Sequence, residues 1–196
     1  MRERLTRAFV TDLEEGDGRT ILGRCVPYNV PALVRDAPNL PTYEEIFAAG
    51  AFKRITADPA RVRLTYEHPD KRGGGTVADQ LGRAVDFRDE IDGLHGAFRV
   101  VESDLGDHAL ALVKERILTG LSVDFEPISA RRGPGGRIIR TRARLIDVSL
   151  TRDPAYEGAE VEMVRSAADV IDLSEYRPKA NPELDARIAR LAKPEE

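Results

Sequence analysis

Two long alternating runs around a single break constrain this chain more than any other feature. Leu121, Val123 and Phe125 alternate with Ser122, Asp124 and Glu126, and on the far side Ile146, Val148 and Leu150 alternate with Asp147 and Ser149. Between them lies Arg131-Arg132-Gly133-Pro134-Gly135-Gly136-Arg137. A period of two is the signature of a strand with one face buried, and a glycine- and proline-rich interruption is where such a strand must turn. Residues 121–130 and 137–150 are therefore predicted to pair as a long hairpin. With 16 Gly, 12 Pro and no Trp among 196 residues, turns are frequent and a β-rich architecture is favoured.

The remaining segments supply shorter elements. Residues 5–13 and 20–26 flank Glu15-Gly16-Asp17-Gly18 and read as an opening hairpin. Four prolines between Pro27 and Pro41 keep that stretch irregular or extended until a short strand at Tyr43-Glu44-Glu45-Ile46-Phe47. Gly50 to Ile55 suits a short helix. In the strand from Arg61 to His68, Val62, Leu64, Tyr66 and His68 share one parity, and Pro69 ends it. Gly73-Gly74-Gly75 lacks the spaced Gly-Lys-Ser/Thr of a phosphate loop and is expected to be a surface loop. Residues 81–88 and 94–100 form a second hairpin. Ser103 and Asp104 cap a helix whose apolar positions Leu105, Ala109, Leu112, Val113 and Ile117 fall on one face, with Gly120 as its stop. A last strand is expected within residues 159–164. These elements divide the chain into one folded domain, 1–165, and a charged tail, 166–196, with a short amphipathic helix starting at Asn181-Pro182-Glu183.

Several classes of function are disfavoured at this level. A formal net charge of −4 argues against general nucleic-acid binding. No apolar run approaches the roughly 18 residues that span a bilayer, and the first residues are charged without an apolar signal core, so neither membrane insertion nor export is expected. The single cysteine, Cys25, allows no internal disulfide and no thiolate cluster, fits a reducing cytoplasm, and is expected to be a packed strand residue.

In chain order, His68, Ser122 and Asp147 offer a base, a hydroxyl nucleophile and an acid. A serine hydroxyl attacks a carbonyl only when an imidazole takes its proton, and the imidazole needs a partner that fixes its tautomer and stabilises its cation. His95 and His108 are alternative third members. His95 is expected to be packed or exposed on its strand, and His108 to be solvated on the helix flank.

The motifs Tyr66-Glu67-His68-Pro69, Gly120-Leu121-Ser122-Val123 and Asp147-Val148-Ser149-Leu150 with Asp153-Pro154-Ala155, together with Gly50-Ala51-Phe52, resemble the motif series of tailed-phage prohead maturation proteases. The resemblance covers roughly residues 20–164. It implies an α+β fold with a mainly antiparallel, β-barrel-like core and a few surrounding helices, similar to the herpesvirus assemblins. It further implies Ser122 as nucleophile, His68 as general base and Asp147 as orienting acid, with no metal or other cofactor. Many members of the family carry Glu at the position of Asp147, and assemblins use a histidine as third member. Asp124 stands where glycine is frequent, and Tyr156 where asparagine is. Arg152 is a candidate oxyanion or substrate contact, because assemblins use an arginine-bearing segment near their third residue; Asp124 is a second candidate contact.

On this resemblance the chain is a serine endopeptidase that cleaves scaffold or capsid-protein extensions inside an immature phage head in the host bacterial cytoplasm, and that also releases its own tail. Its partners are then the major capsid protein and its scaffold segment, with no nucleic acid and no membrane; a homo-oligomer is left open. The alternative is a catalytically inactive relative that acts as an internal scaffold or capsid-assembly factor. A small-ester hydrolase is a weaker third reading, since the Gly-x-Ser-x-Gly elbow is absent.

Overall fold

The computed structural model describes residues 5–10, 19–35, 39–66, 80–152 and 161–165. Their centre is the expected hairpin. Strand β8, Gly120–Arg132, pairs antiparallel with β9, Ile138–Thr151. The turn between them holds a short 3-10 helix, Pro134–Gly136, in which Gly135 and Gly136 take positive φ. Side chains beyond glycine rarely adopt that conformation, which explains the composition of the turn.

Around this hairpin the chain lays down β1 (Leu5–Val10), β2 (Thr20–Pro27), β3 (Ala32–Val34), β4 (Tyr43–Phe47), β5 (Arg63–Tyr66), β6 (Gln80–Asp89), β7 (Gly93–Val100) and β10 (Val161–Arg165). The hydrogen-bonded order is β1-β8-β9-β5-β6-β7-β2-β10, with the β3–β4 pair attached through β9. The core lies on one face of it. Leu64, Leu121, Val123, Phe125, Val148 and Leu150 are all fully buried there. Phe125 stacks edge-on against Phe47, with ring centroids 5.0 Å apart, and Phe52 closes the group at 5.2 Å from Phe47.

Mainly β structure is found as expected, and two features of the expected fold are corrected. The sheet is mainly antiparallel, as expected, and is mixed because β4 and β5 run parallel to β9. It is not closed into a barrel among the described residues: closure requires the two edge strands to pair in a consistent stagger, and the order instead ends at β1 and β10. The helices reduce, among the described residues, to one α-helix, α1 (Asp104–Lys114), and 3-10 turns at Lys53–Ala57, Pro59–Arg61 and Pro134–Gly136.

Local readings fare unevenly. The β6–β7 hairpin forms as predicted. The opening hairpin does not, because β1 pairs with β8 whereas β2 pairs with β7 and β10. Ser103 caps α1, its hydroxyl accepting from the Gly106 amide at 3.1 Å. The helix stops at Lys114, six residues before the expected Gly120. Arg116 takes a left-handed φ of 57°, and the Ile117 and Arg116 amides turn back to the Leu112 and Val113 carbonyls at 2.8 and 3.0 Å. That is the paired bonding of a Schellman stop with arginine in the usual glycine place. Gly120 instead opens β8. Cys25 is buried, as expected. The glycine loop at 73–75 and the tail helix lie outside the described residues. No helix among the described residues is long and apolar enough to cross a membrane.

Candidate active site

β9 gathers the polar residues, because it has β8 on one side and β5 on the other. Ser122 of β8 stands opposite Ser149 of β9, and Ser149 stands opposite Thr65 of β5. One step along the same face, Asp124 is opposite Asp147, and Asp147 is opposite Arg63. Residues in register across a ladder share a face, so two polar rows cross three strands side by side. Both lie on the face opposite Leu121, Val123 and Phe125, as the alternation predicts.

The rows are buried and bonded. Ser122 is 1% exposed, and Thr65, Ser149 and Asp147 are buried with it. The Thr65 and Ser149 hydroxyls lie 2.7 Å apart. Arg63 grips Asp147 with both prongs of its guanidinium, Nε donating to Oδ1 and Nη2 to Oδ2, each at 2.8 Å. These bonds hold the Arg63 guanidinium above its ordinary pKa against the opposing effect of burial, and the charges of Asp147 and Asp124 add to the rise. The cation therefore sits beside two carboxylates and offsets their mutual repulsion.

A bulge alters the expected alternation here. Asp124 faces Asp147 but Phe125 faces Leu145, so Ile146 is the extra residue of β9. Ile146, expected on the apolar face with Val148 and Leu150, is only partly buried, and Leu145 takes its place in the core. A bulge reverses the parity on one side of it, and this one leaves Asp147 in line with Ser149.

The other predicted residues are placed as follows. His68 lies outside the described residues; β5 ends two residues before it at Tyr66, opposite Leu150. Asp124 is partly buried, and Arg152 is exposed just past the end of β9. His108 is exposed on α1. His95 is on β7, separated from β8 by β9, β5 and β6 in the sheet order. The sequence alone points to no role for Arg63, Thr65 or Ser149. The signal for Arg63 and Thr65 is the polar parity of the His68 strand, where they alternate with Leu64 and Tyr66, and that for Ser149 is its shared parity with Asp147.

His95 belongs to a separate buried cluster. Its Nε2 lies 3.1 Å from Asp92 Oδ1, and Arg24 Nη1 donates to Asp92 Oδ2 at 2.9 Å. Burial alone would push the Asp92 carboxyl up, but its bond to His95 and the charges of His95 and Arg24 win, bringing it down to about 2 from 3.8. A depressed carboxyl contributes stability that is present above its unfolded pKa and is lost as pH falls through the folded one. The contribution, about 2 kcal/mol by linkage, should vanish between about pH 4 and about pH 2. Urea titrations of wild type and Asp92→Asn across that window should converge at the acid end; parallel curves would show that Asp92 carries no such coupling.

Residues 11–173 match the family model described as Caudovirus prohead serine protease. The chain belongs to that family. Prohead serine proteases act in capsid maturation, and the family implies capsid or scaffold proteins as substrates. No curated protein matches the chain. Among solved structures it is similar to the capsid assembly protease of bacteriophage T4, gp21, at 14% identity and a TM-score of 0.48, over 78% of this chain and 99% of that one.

Proposed function

We propose that this prohead protease family member is a serine endopeptidase that trims scaffold or capsid-protein extensions within the immature head, in the host bacterial cytoplasm. Ser122 is the nucleophile, His68 the general base and Asp147 the acidic member. The observation that carries the reading is the placement of Ser122 in a buried polar row one step along the ladder from the Arg63–Asp147 pair. A low-dielectric, bonded setting is where fixed charges act most strongly on a developing oxyanion and imidazolium. β5, the strand beside β9, ends at Tyr66, and His68 follows two residues later in the sequence. Arg152 and Asp124 are the candidates for oxyanion or substrate contact.

Attack by Ser122 Oγ on the scissile carbonyl passes its proton to His68, which returns it to the leaving amine; water then repeats the sequence on the acyl-enzyme. The deep burial of Ser122 favours a second reading, a non-catalytic assembly factor of the same family. A fluorophosphonate probe separates the two. Covalent mass on the Ser122 peptide supports the protease, and an unlabelled Ser122 under conditions that label a control serine protease supports the assembly factor.

The folded domain is proposed to end near residue 165 and the tail, 166–196, to be released by the enzyme itself. Intact masses of wild type and Ser122→Ala should then differ by a C-terminal fragment; equal masses would exclude release.

A further inference from the structure

The outer half of the β8–β9 hairpin has a character unlike the rest of the molecule. Between Pro127 and Arg144 there are six arginines and no acidic residue, in a chain of net charge −4. Three of the six are held by carboxylates: Arg137 by Glu44, Arg140 by Glu45 and Arg144 by Glu126, at 2.7, 2.7 and 2.6 Å. Arg131, Arg132 and Arg142 are exposed, and no carboxylate holds them among the described residues.

Two further observations coincide with these charges. β1 covers the outer edge of β8 only as far as Phe125, so along 128–132 that edge is open among the described residues. Beside it a groove of about 240 Å³ is lined by Ala51, Ala143 and Ile128, with Lys53, Arg54 and Arg142 at its rim. Ile128 is 48% exposed.

We infer that this arm is a docking surface for an extended, acidic segment of a protein substrate, which adds as a strand along 128–132 and seats an aliphatic side chain in the groove. An open strand edge bonds another polypeptide backbone, which a nucleic acid does not possess. The groove offers apolar surface between cations, which suits a peptide with carboxylates flanking an aliphatic residue. The same arginines keep two arms from pairing with each other. Six steps along β8 separate Ile128 from Ser122, about 20 Å at the strand rise, so the arm holds substrate at a distance from the bond to be cut. The inference rests on the endopeptidase reading for the identity of the partner as a substrate, but binding and cleavage are measured apart.

The probe is a fluorescein-labelled ten-residue peptide of Asp and Glu alternating with Val and Leu, read by anisotropy at low and moderate salt. Its controls are the same peptide with Lys for each acid, and a ten-nucleotide oligo-dT. Wild type and Ser122→Ala should bind the acidic peptide equally, with affinity falling as salt rises. The triple variant R131E/R132E/R142E should lose at least tenfold and gain affinity for the Lys peptide, and Ile128→Ala should weaken binding without altering its salt dependence. An unchanged thermal midpoint and unchanged Ser122 labelling in the triple variant show that its fold is intact. Acidic-peptide binding that survives the triple change, or oligo-dT binding as tight as peptide binding, would overturn the inference. Binding that persists in a chain whose Ser122 never labels would leave the surface standing and remove the endopeptidase reading instead.

Discussion

Co-expressed with its capsid precursor, the Ser122→Ala variant is expected to leave that precursor at full length. Removing the nucleophile of a serine protease costs on the order of 10⁶ in turnover, and the residual rate from binding and oxyanion contacts is invisible in a gel. The loss must be chemical rather than structural. Ser122 is buried between the backbones of β1 and β9, and an alanine there removes one oxygen and creates no clash. Wild type and variant should both be folded at the processing temperature while only one trims. His68→Ala should match it closely, because residues acting as one unit are far from additive. Trimming that continued at an undiminished rate in Ser122→Ala would end the assignment.

Arg63→Ala should have the next largest effect, and on two readouts. The guanidinium spans both oxygens of Asp147, whose side chain is 4% exposed against 39% for Arg63. Breaking a fully buried pair from one side costs about 3–5 kcal/mol. Water reaches Arg63, so about 2–3 kcal/mol is the expected loss here. The urea midpoint should fall with an unchanged slope. Arg63→Lys should recover only part of it, since an ammonium cannot make the parallel two-pronged contact. Processing at a temperature where the variant remains folded should fall as well, because Asp147 loses the group that fixes its orientation. A midpoint within error of wild type would show that the pair holds nothing in place.

The β8–β9 hairpin was legible in the sequence because everything that specifies it is local: alternation on both sides and a turn that glycines favour. The cap of α1 was legible for the same reason. What pairs with what across a long separation was not. Residues 5–13 alternate only loosely, and nothing in them names β8 as partner. The meeting of Arg63 with Asp147 depends on a parallel ladder between segments 84 residues apart, and parity says which face a residue takes but not who lies beside it. The bulge at Ile146 shows a second limit. One extra residue reverses the pattern, and the Leu145/Ile146 exchange has no sign in composition because both are aliphatic. Of the candidate site, Ser122, Asp124 and Asp147 could be placed on one face from alternation alone; Thr65 and Arg63 needed the ladder.

The pairing of β1 with β8 also bears on when the protein can become competent. On a ribosome Leu5–Val10 emerges before the other described strands, yet its partner Gly120–Phe125 follows more than a hundred residues later, and β5 must wait for β9. Such remote pairings delay folding, because loop closure precedes any compensating contact. The Ser122 row therefore comes together only after β9 has been made. A fragment cut short before residue 138 lacks β9, the strand that links Ser122 to Arg63, so such an unfinished chain cannot assemble the site.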